Sequence, residues 1–344
     1  MKLGMCYNVD YHEEIHGDPK SYFSQILDLV DMMEDLGYDS VWFSEHHSGG
    51  YSFGNPCVIA AAAAVRTKRI RIGIGVSLLP LHHPLMLAEQ YGMLDLISNG
   101  RLEFGIGRGY MEKEYEWLGI PMSESHGRYH EAAEFIMQAW KNPLTPMKFD
   151  GEYFKVDGYK YFPEPLQKPF PPIYASAGTT RDSFRWAGER GLHLGTPLFL
   201  PDRAEIIDNI QFYRKTLVEN GYNPASHEVC AITQMYCAKS REEAVKLGGR
   251  YATNYYRFFT SLAEQENFFT EARGEELNND DRVLFGDPED LVKRIGNLRD
   301  VMGIDFLLTE IAQGGCPPDQ VKEVLELFGT QVLPHLKKKE AAPA

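Results

Sequence analysis

The run Ser44-Glu45-His46-His47 holds the densest chemistry of the chain, two imidazoles beside a carboxyl. Imidazole titrates near neutral pH, so it commonly carries protons in catalysis. The run ends a short apolar stretch, Tyr38-Asp39-Ser40-Val41-Trp42-Phe43, that reads as a buried strand. Side chains alternate along a strand, so Val41, Phe43 and Glu45 point one way and Trp42, Ser44 and His46 the other. His46 and His47 therefore diverge, and only one of them is expected to enter a common pocket. A satisfied structural histidine pair is the bland alternative.

Three further clusters have the composition of a site: Gly75-Val76-Ser77, Gly105-Ile106-Gly107-Arg108-Gly109, and Ala175-Ser176-Ala177-Gly178-Thr179-Thr180-Arg181. The last two suit an anion. Small residues let the backbone approach a phosphate, and a helix that starts near Thr180 offers free N–H groups and the positive end of its dipole. Arg108, Arg181, Thr179 and Thr180 add guanidinium and hydroxyl donors. The glycines equally suit a crowded core, and Thr179 or Thr180 equally suits a helix N-cap. His12, His16, His46, His47, His82 and His83 crowd the N-terminal third, but none shows the His-x-His spacing that puts two ligands on one strand face, so no metal site is expected.

Positioning such clusters takes a regular scaffold, and the sequence supplies one. Strand-like and helix-like segments alternate: residues 2–8, a helix near 20–36, 39–45, 55–67, 70–78, 84–98, 101–107 and a helix near 127–141. They continue with 172–177, 180–190, 192–196, 202–220, 228–238, helices near 240–263 and 287–302, a strand at 304–309 and a helix near 317–336. About eight β-then-α units point to an α/β fold, a (β/α)8 TIM barrel over residues 1–336, with 337–344 as a frayed tail. All four clusters then fall at strand C-terminal ends, where barrel sites lie. Two insertions interrupt the rhythm: a proline-rich, aromatic β-hairpin near 142–172, and an acidic lid-like loop near 264–284 with Phe268 and Phe269 as inward anchors.

With 344 residues, 43% hydrophobic and 24% charged, the composition is that of a soluble globular protein. A net charge of -14 disfavours nucleic acid and anionic membranes as partners. Cys6, Cys57, Cys230, Cys237 and Cys316 are odd in number and scattered, which argues for reduced thiols and a cytoplasmic setting.

Over nearly its whole length the chain resembles the bacterial-luciferase-like flavin monooxygenases. The resemblance rests on Val41 to His47, Asn55-Pro56, Leu79-Pro80-Leu81-His82-His83-Pro84, Ala88-Glu89 and Leu94-Asp95. It extends through Ser98 to Gly109, Gln167-Lys168-Pro169, Trp186 to Gly191 and Phe285-Gly286-Asp287-Pro288-Glu289. It implies a (β/α)8 barrel that takes reduced FMN from a separate flavin reductase, reacts it with O2 at the 4a carbon and oxygenates a small organic substrate. It also implies His46 and Glu45 as catalytic residues, with His46 near the flavin ring, and Arg108 with Ser176, Gly178 and Thr179 at the flavin phosphate. A cis peptide at Gly75-Val76 would lie under the ring, and a homodimer would form through the helices containing Ala60 to Ala64 and Met86 to Leu96. Where the family often has an arginine ahead of the fourth helix this chain has His126, with Arg128 two residues on. The chain shows no Gly-x-Gly-x-x-Gly turn for NAD(P)H, which favours a borrowed reduced flavin. A deazaflavin-dependent dehydrogenase of the same superfamily and a non-catalytic flavin-binding protein are the alternatives.

Overall fold

Strands form where apolar runs are long enough to be covered on both faces, and eight of them close on one another. The computed structural model describes residues 1–47, 52–200, 202–262 and 269–337. In chain order its strands are β1 (Lys2–Tyr7), β2 (Ser40–Phe43), β3 (Arg71–Leu78), β4 (Leu102–Gly107), β5 (Pro146–Asp150), β6 (Lys155–Lys160), β7 (Ile173–Ser176), β8 (His193–Pro197), β9 (Val229–Cys237), β10 (Leu284–Gly286) and β11 (Phe306–Glu310). The ring runs β1-β2-β3-β4-β7-β8-β9-β11 and back to β1, every pair parallel. This is the expected (β/α)8 barrel. β5 and β6 form the expected antiparallel hairpin outside the ring.

Local signals set the helices. Asp18 caps Pro19–Leu36 by accepting from the Ser21 amide, and Gly37 ends it at φ 83°. Asp287 and Gly303 do the same for Pro288–Met302. Inside the barrel a layer of Cys6, Trp42, Tyr174, Cys230, Phe306 and Leu308 forms the floor of the upper half. The Trp42 indole fits there because residue 73 is glycine: a Cβ at that position would overlap the ring.

Two expectations need correction. The stretch near 264–284 is not simply a loop: Glu271–Asn279 is a helix and Leu284–Gly286 pairs with β9, while Phe268 lies outside the described residues. Phe269 is fully buried and stacks on Tyr256 at 4.7 Å, so the inward anchor is there. A short helix, Glu112–Leu118, fills a stretch to which the sequence reading gave no element. Ala60, Ala63 and Ala64 are buried where their helix packs on β2 and β3 of its own barrel, while Ala61 and Ala62 are half-buried. Of the expected frayed tail, 338–344 lies outside the described residues, and Lys337 pairs with Asp39 at 2.8 Å.

Candidate active site

The C-terminal ends of the strands surround one cavity of about 750 Å³ that reaches down to Trp42. His46, Glu45, Gly75, Val76, Arg108, Ser176, Gly178 and Thr179 all line it, so the residues nominated from sequence converge. His47 does not line it, and the two histidines diverge as the strand alternation requires.

His46 enters the cavity with Nδ1 held 3.0 Å from Glu114 Oε1. The same oxygen accepts the His47 backbone N–H at 2.8 Å. Glu114 is fully buried on the helix Glu112–Leu118. His47 turns back to Glu45, with Nε2 3.1 Å from Oε1. Glu45 Oε1 also meets His82 Nε2, while Oε2 accepts from Ser77 Oγ at 3.2 Å and from the Leu78 amide at 3.1 Å. Burial alone pushes the Glu45 carboxyl up, but the hydrogen bonds from His47, His82 and Leu78 outweigh it and hold the group at about 2. The bond to Glu45 raises the His47 imidazole in turn. Ligand atoms of Glu45, His47 and His82 lie within 4.8 Å of one another, a trio hidden from linear spacing because His82 comes from another strand end.

The phosphate-type end lies where β4 meets β7. Ile106 is paired with Ala175, so Arg108 and the turn Ala177-Gly178-Thr179-Thr180 follow side by side. Gly107 keeps this wall open, since a Cβ there would overlap Val76. Arg108 Nη1 donates to Ser125 Oγ at 3.0 Å, which orients the guanidinium. Thr180 stands at the N-cap of Arg181–Glu189, but its hydroxyl makes no capping bond, so the plain N-cap reading does not hold for its side chain. Arg181 is a correction: it pairs with Asp208 and lies over the Phe212 ring at 4.2 Å, on the outside. His126 lines the cavity and Arg128 does not; Arg128 pairs with Glu124 at 2.7 Å.

Several buried polar atoms in this wall have no hydrogen-bond partner among the described residues: His130 Nδ1, Trp186 Nε1 and Thr196 Oγ1. Burial, with His126 and Arg190 close by, pushes the His130 imidazole down to about 4. Buried polar atoms are normally satisfied, so unpaired donors and acceptors around a cavity mark where a ligand belongs. A phosphate on a polyhydroxylated chain, such as the ribityl phosphate of FMN, has the complementary groups, and the residues present fit it.

A model of the luciferase-like monooxygenase family matches residues 1–328. The chain belongs to that family. On that footing it is an oxidoreductase that inserts oxygen. The oxygenase component of a flavin-dependent trigonelline monooxygenase from Acinetobacter baylyi is 29% identical over 251 residues, 72% of this chain and 68% of that one. The crystal structure of monooxygenase RslO1 from Streptomyces bottropensis superposes with a TM-score of 0.90 at 25% identity, covering 98% of this chain and 100% of that one. An F420-dependent secondary alcohol dehydrogenase shares the fold, with a TM-score of 0.74 at 18% identity over 98% of this chain and 99% of that one. Sequence reasoning gave no site role to Glu114, His130, Trp186 or Thr196: Glu114 stands between Glu112 and Glu116 and His130 four residues from His126, and neither spacing by itself says which residue turns toward the cavity.

Proposed function

We propose that this monooxygenase binds reduced FMN made by a separate flavin reductase and uses O2 to oxygenate a small organic substrate. The unpaired polar atoms of the cavity wall and the helix N-terminus at Thr180 carry the FMN reading, because they match a phosphate and a polyol chain. When bound, the reduced flavin supplies the electrons that activate oxygen. The chain's own residues do the rest. Arg108, Ser176, Gly178 and Thr179 would hold the phosphate, and Gly75-Val76, whose peptide is cis, would contribute to the cofactor-binding wall of the cavity.

His46 is the catalytic residue of this reading. Glu114 accepts from Nδ1, so the ring exchanges its proton at Nε2. Glu45, expected from sequence to be catalytic beside His46, accepts from four donors, and in this reading it positions His47 and His82 and does not exchange protons itself. Phe269, stacked on Tyr256 in the cavity wall, places the 269–284 segment where it helps to exclude water. The separate reductase is supported by the description of the Acinetobacter relative as an oxygenase component. Five free cysteines accord with a cytoplasmic setting, and no helix among the described residues is long and apolar enough to cross a membrane. We further read the protein as a homodimer joined through the exposed Val58, Val65, Met86, Met93 and Leu96.

Anaerobic protein loaded with reduced FMN, mixed with O2 and followed by flavin absorbance, tests the proposal. Expected is reoxidation kinetically distinct from that of free reduced FMN, and a His46→Ala variant that retains FMN but loses about 10²- to 10⁴-fold in oxygenation rate. Reoxidation identical to that of free flavin, together with tight binding of a reduced deazaflavin, would instead establish the dehydrogenase alternative.

A further inference from the structure

The wall of the cavity opposite Arg108 has its own chemistry. In the eight-strand ring β11 lies four strands away from β4, and β11 ends in Glu310. Its carboxyl is buried, lines the cavity, and accepts from Asn8 Nδ2 at 2.5 Å and from Gln234 Nε2 at 2.6 Å, one amide to each oxygen, with the neutral Gln313 amide beside them. Two amide donors, one on each oxygen, are the arrangement a carboxylate uses, since an ionised carboxyl only accepts. Yet among the described residues no Lys, Arg or His is paired with Glu310, and buried carboxylates are normally paired with a cation or a metal. Cavity-lining aromatic rings stand on the same side: Tyr110 lies 5.8 Å from Phe259, and Tyr255, Tyr256 and Phe259 pack on one another.

We propose that Glu310, seated on Asn8 and Gln234 and flanked by Tyr110, Tyr256 and Phe259, is the substrate-recognition end of the cavity and takes a substrate bearing a positively charged, ammonium-type nitrogen. This deepens the monooxygenase reading and rests on it for the word substrate. The ligand's charge supplies the partner that the wall omits, and aromatic faces attract cations through their ring quadrupoles. Burial holds the Glu310 carboxyl up at about 7 in the absence of such a ligand, so part of the population is protonated near neutral pH. The titratable groups that face Glu310 are Cys6 on β1, Tyr110 after β4 and Tyr256 on the helix Arg241–Leu262; burial raises Cys6 and Tyr256, and Tyr110, half exposed, is an uncharged phenol at neutral pH. Asp10, after β1, is already paired with His12 at 2.8 Å. A bound cation must displace the carboxyl proton, so its binding strengthens as the pH rises.

The test is a matched pair of probes, phenyltrimethylammonium and its uncharged isostere tert-butylbenzene, titrated calorimetrically into the protein with and without FMN at pH 6 and pH 8. Expected is a preference of at least tenfold for the cation at pH 8, reduced several-fold at pH 6. In Glu310→Gln, which keeps the shape and removes the charge, the preference is lost at both pH values while FMN affinity stays within threefold of the parent. A preference for the neutral probe, no binding of either probe, or a cation preference unchanged in Glu310→Gln overturns the proposal. If that variant folds poorly, a flat pH dependence in the parent overturns it alone. FMN that fails to bind the parent counts against the monooxygenase reading, while the probe titrations without FMN still decide the cation subsite.

Discussion

At the N-terminal end of the barrel Glu103 is fully buried and receives Arg71 Nε at 2.8 Å, Ser40 Oγ at 2.7 Å, Trp42 Nε1 at 3.0 Å and Lys2 Nζ at 3.4 Å. Beside it Glu228 holds Lys2 at 2.8 Å and the Tyr174 hydroxyl at 2.5 Å. At the C-terminal end Glu310 is buried almost as deeply, with neutral amides around it and, among the described residues, no cation. Both ends place acids in a low-dielectric interior, and only one compensates all of them. The difference separates what the fold needs for itself from what it leaves for a ligand: the acids at the bottom are paired with Arg71 and Lys2, and at the mouth Glu45 and Glu114 are held by histidines, while Glu310 has neutral amides alone among the described residues.

The largest expected effect breaks the paired end. Glu103→Leu leaves Arg71 and Lys2 uncompensated and is expected to destabilise by about 3 to 5 kcal/mol, toward the lower value because both cations keep partial access to water. A urea midpoint within error of the parent would show that the bottom network contributes nothing. Next comes the unpaired end. Because the folded protein raises the Glu310 carboxyl from 4.5 to about 7, its proton favours the folded state below about pH 4.5, and that stability is lost as the pH rises through 7. Glu310→Gln removes this dependence, so the ligand-free variant gains on the parent from pH 5 to pH 8 by up to about 3 kcal/mol. Equal stability–pH curves for parent and variant would refute the contrast between the ends.

The smaller effects sharpen the mouth. Arg108→Ala is expected to weaken FMN by about 1.5 to 3 kcal/mol and to leave riboflavin, which has no phosphate, nearly unaffected. Equal losses for the two flavins would move Arg108 away from the phosphate. Thr180→Ala should change stability by less than about 0.5 kcal/mol, since its hydroxyl caps nothing, while FMN weakens by about 0.5 to 1.5 kcal/mol. A clear loss of stability without loss of FMN would make Thr180 a structural residue.

The barrel was legible because strand and helix periodicities differ and alternate about eight times. The divergence of His46 and His47 was legible because two-residue alternation leaves no choice at a strand end. Contacts that close between distant segments were not. Glu114 escaped notice because its seven-residue helix carries little periodicity, and its value comes from folding back onto His46, 68 residues away. Arg181 looked like a phosphate ligand until a different helix supplied Asp208 and Phe212. Glu310 ends an apolar strand like many solvent-facing glutamates, and only the closed ring reveals that it points inward. The aspartates and glutamates around the histidines show no ligand spacing, and the Glu45-His47-His82 trio depends on β2 and β3 lying side by side.

The indole that a glycine admits into the barrel has an optical consequence. Trp42 and Trp186 line the cavity, whereas Trp117 is exposed on its short helix and Trp140 is buried with its Nε1 donating to the Ala88 carbonyl at 3.1 Å. Two of the four tryptophans in the chain therefore sit within contact range of anything that enters, and two do not. An arriving flavin, which absorbs where indole emits, would quench the first pair more strongly than the second, so the protein carries both its own sensor and its own reference and needs no label.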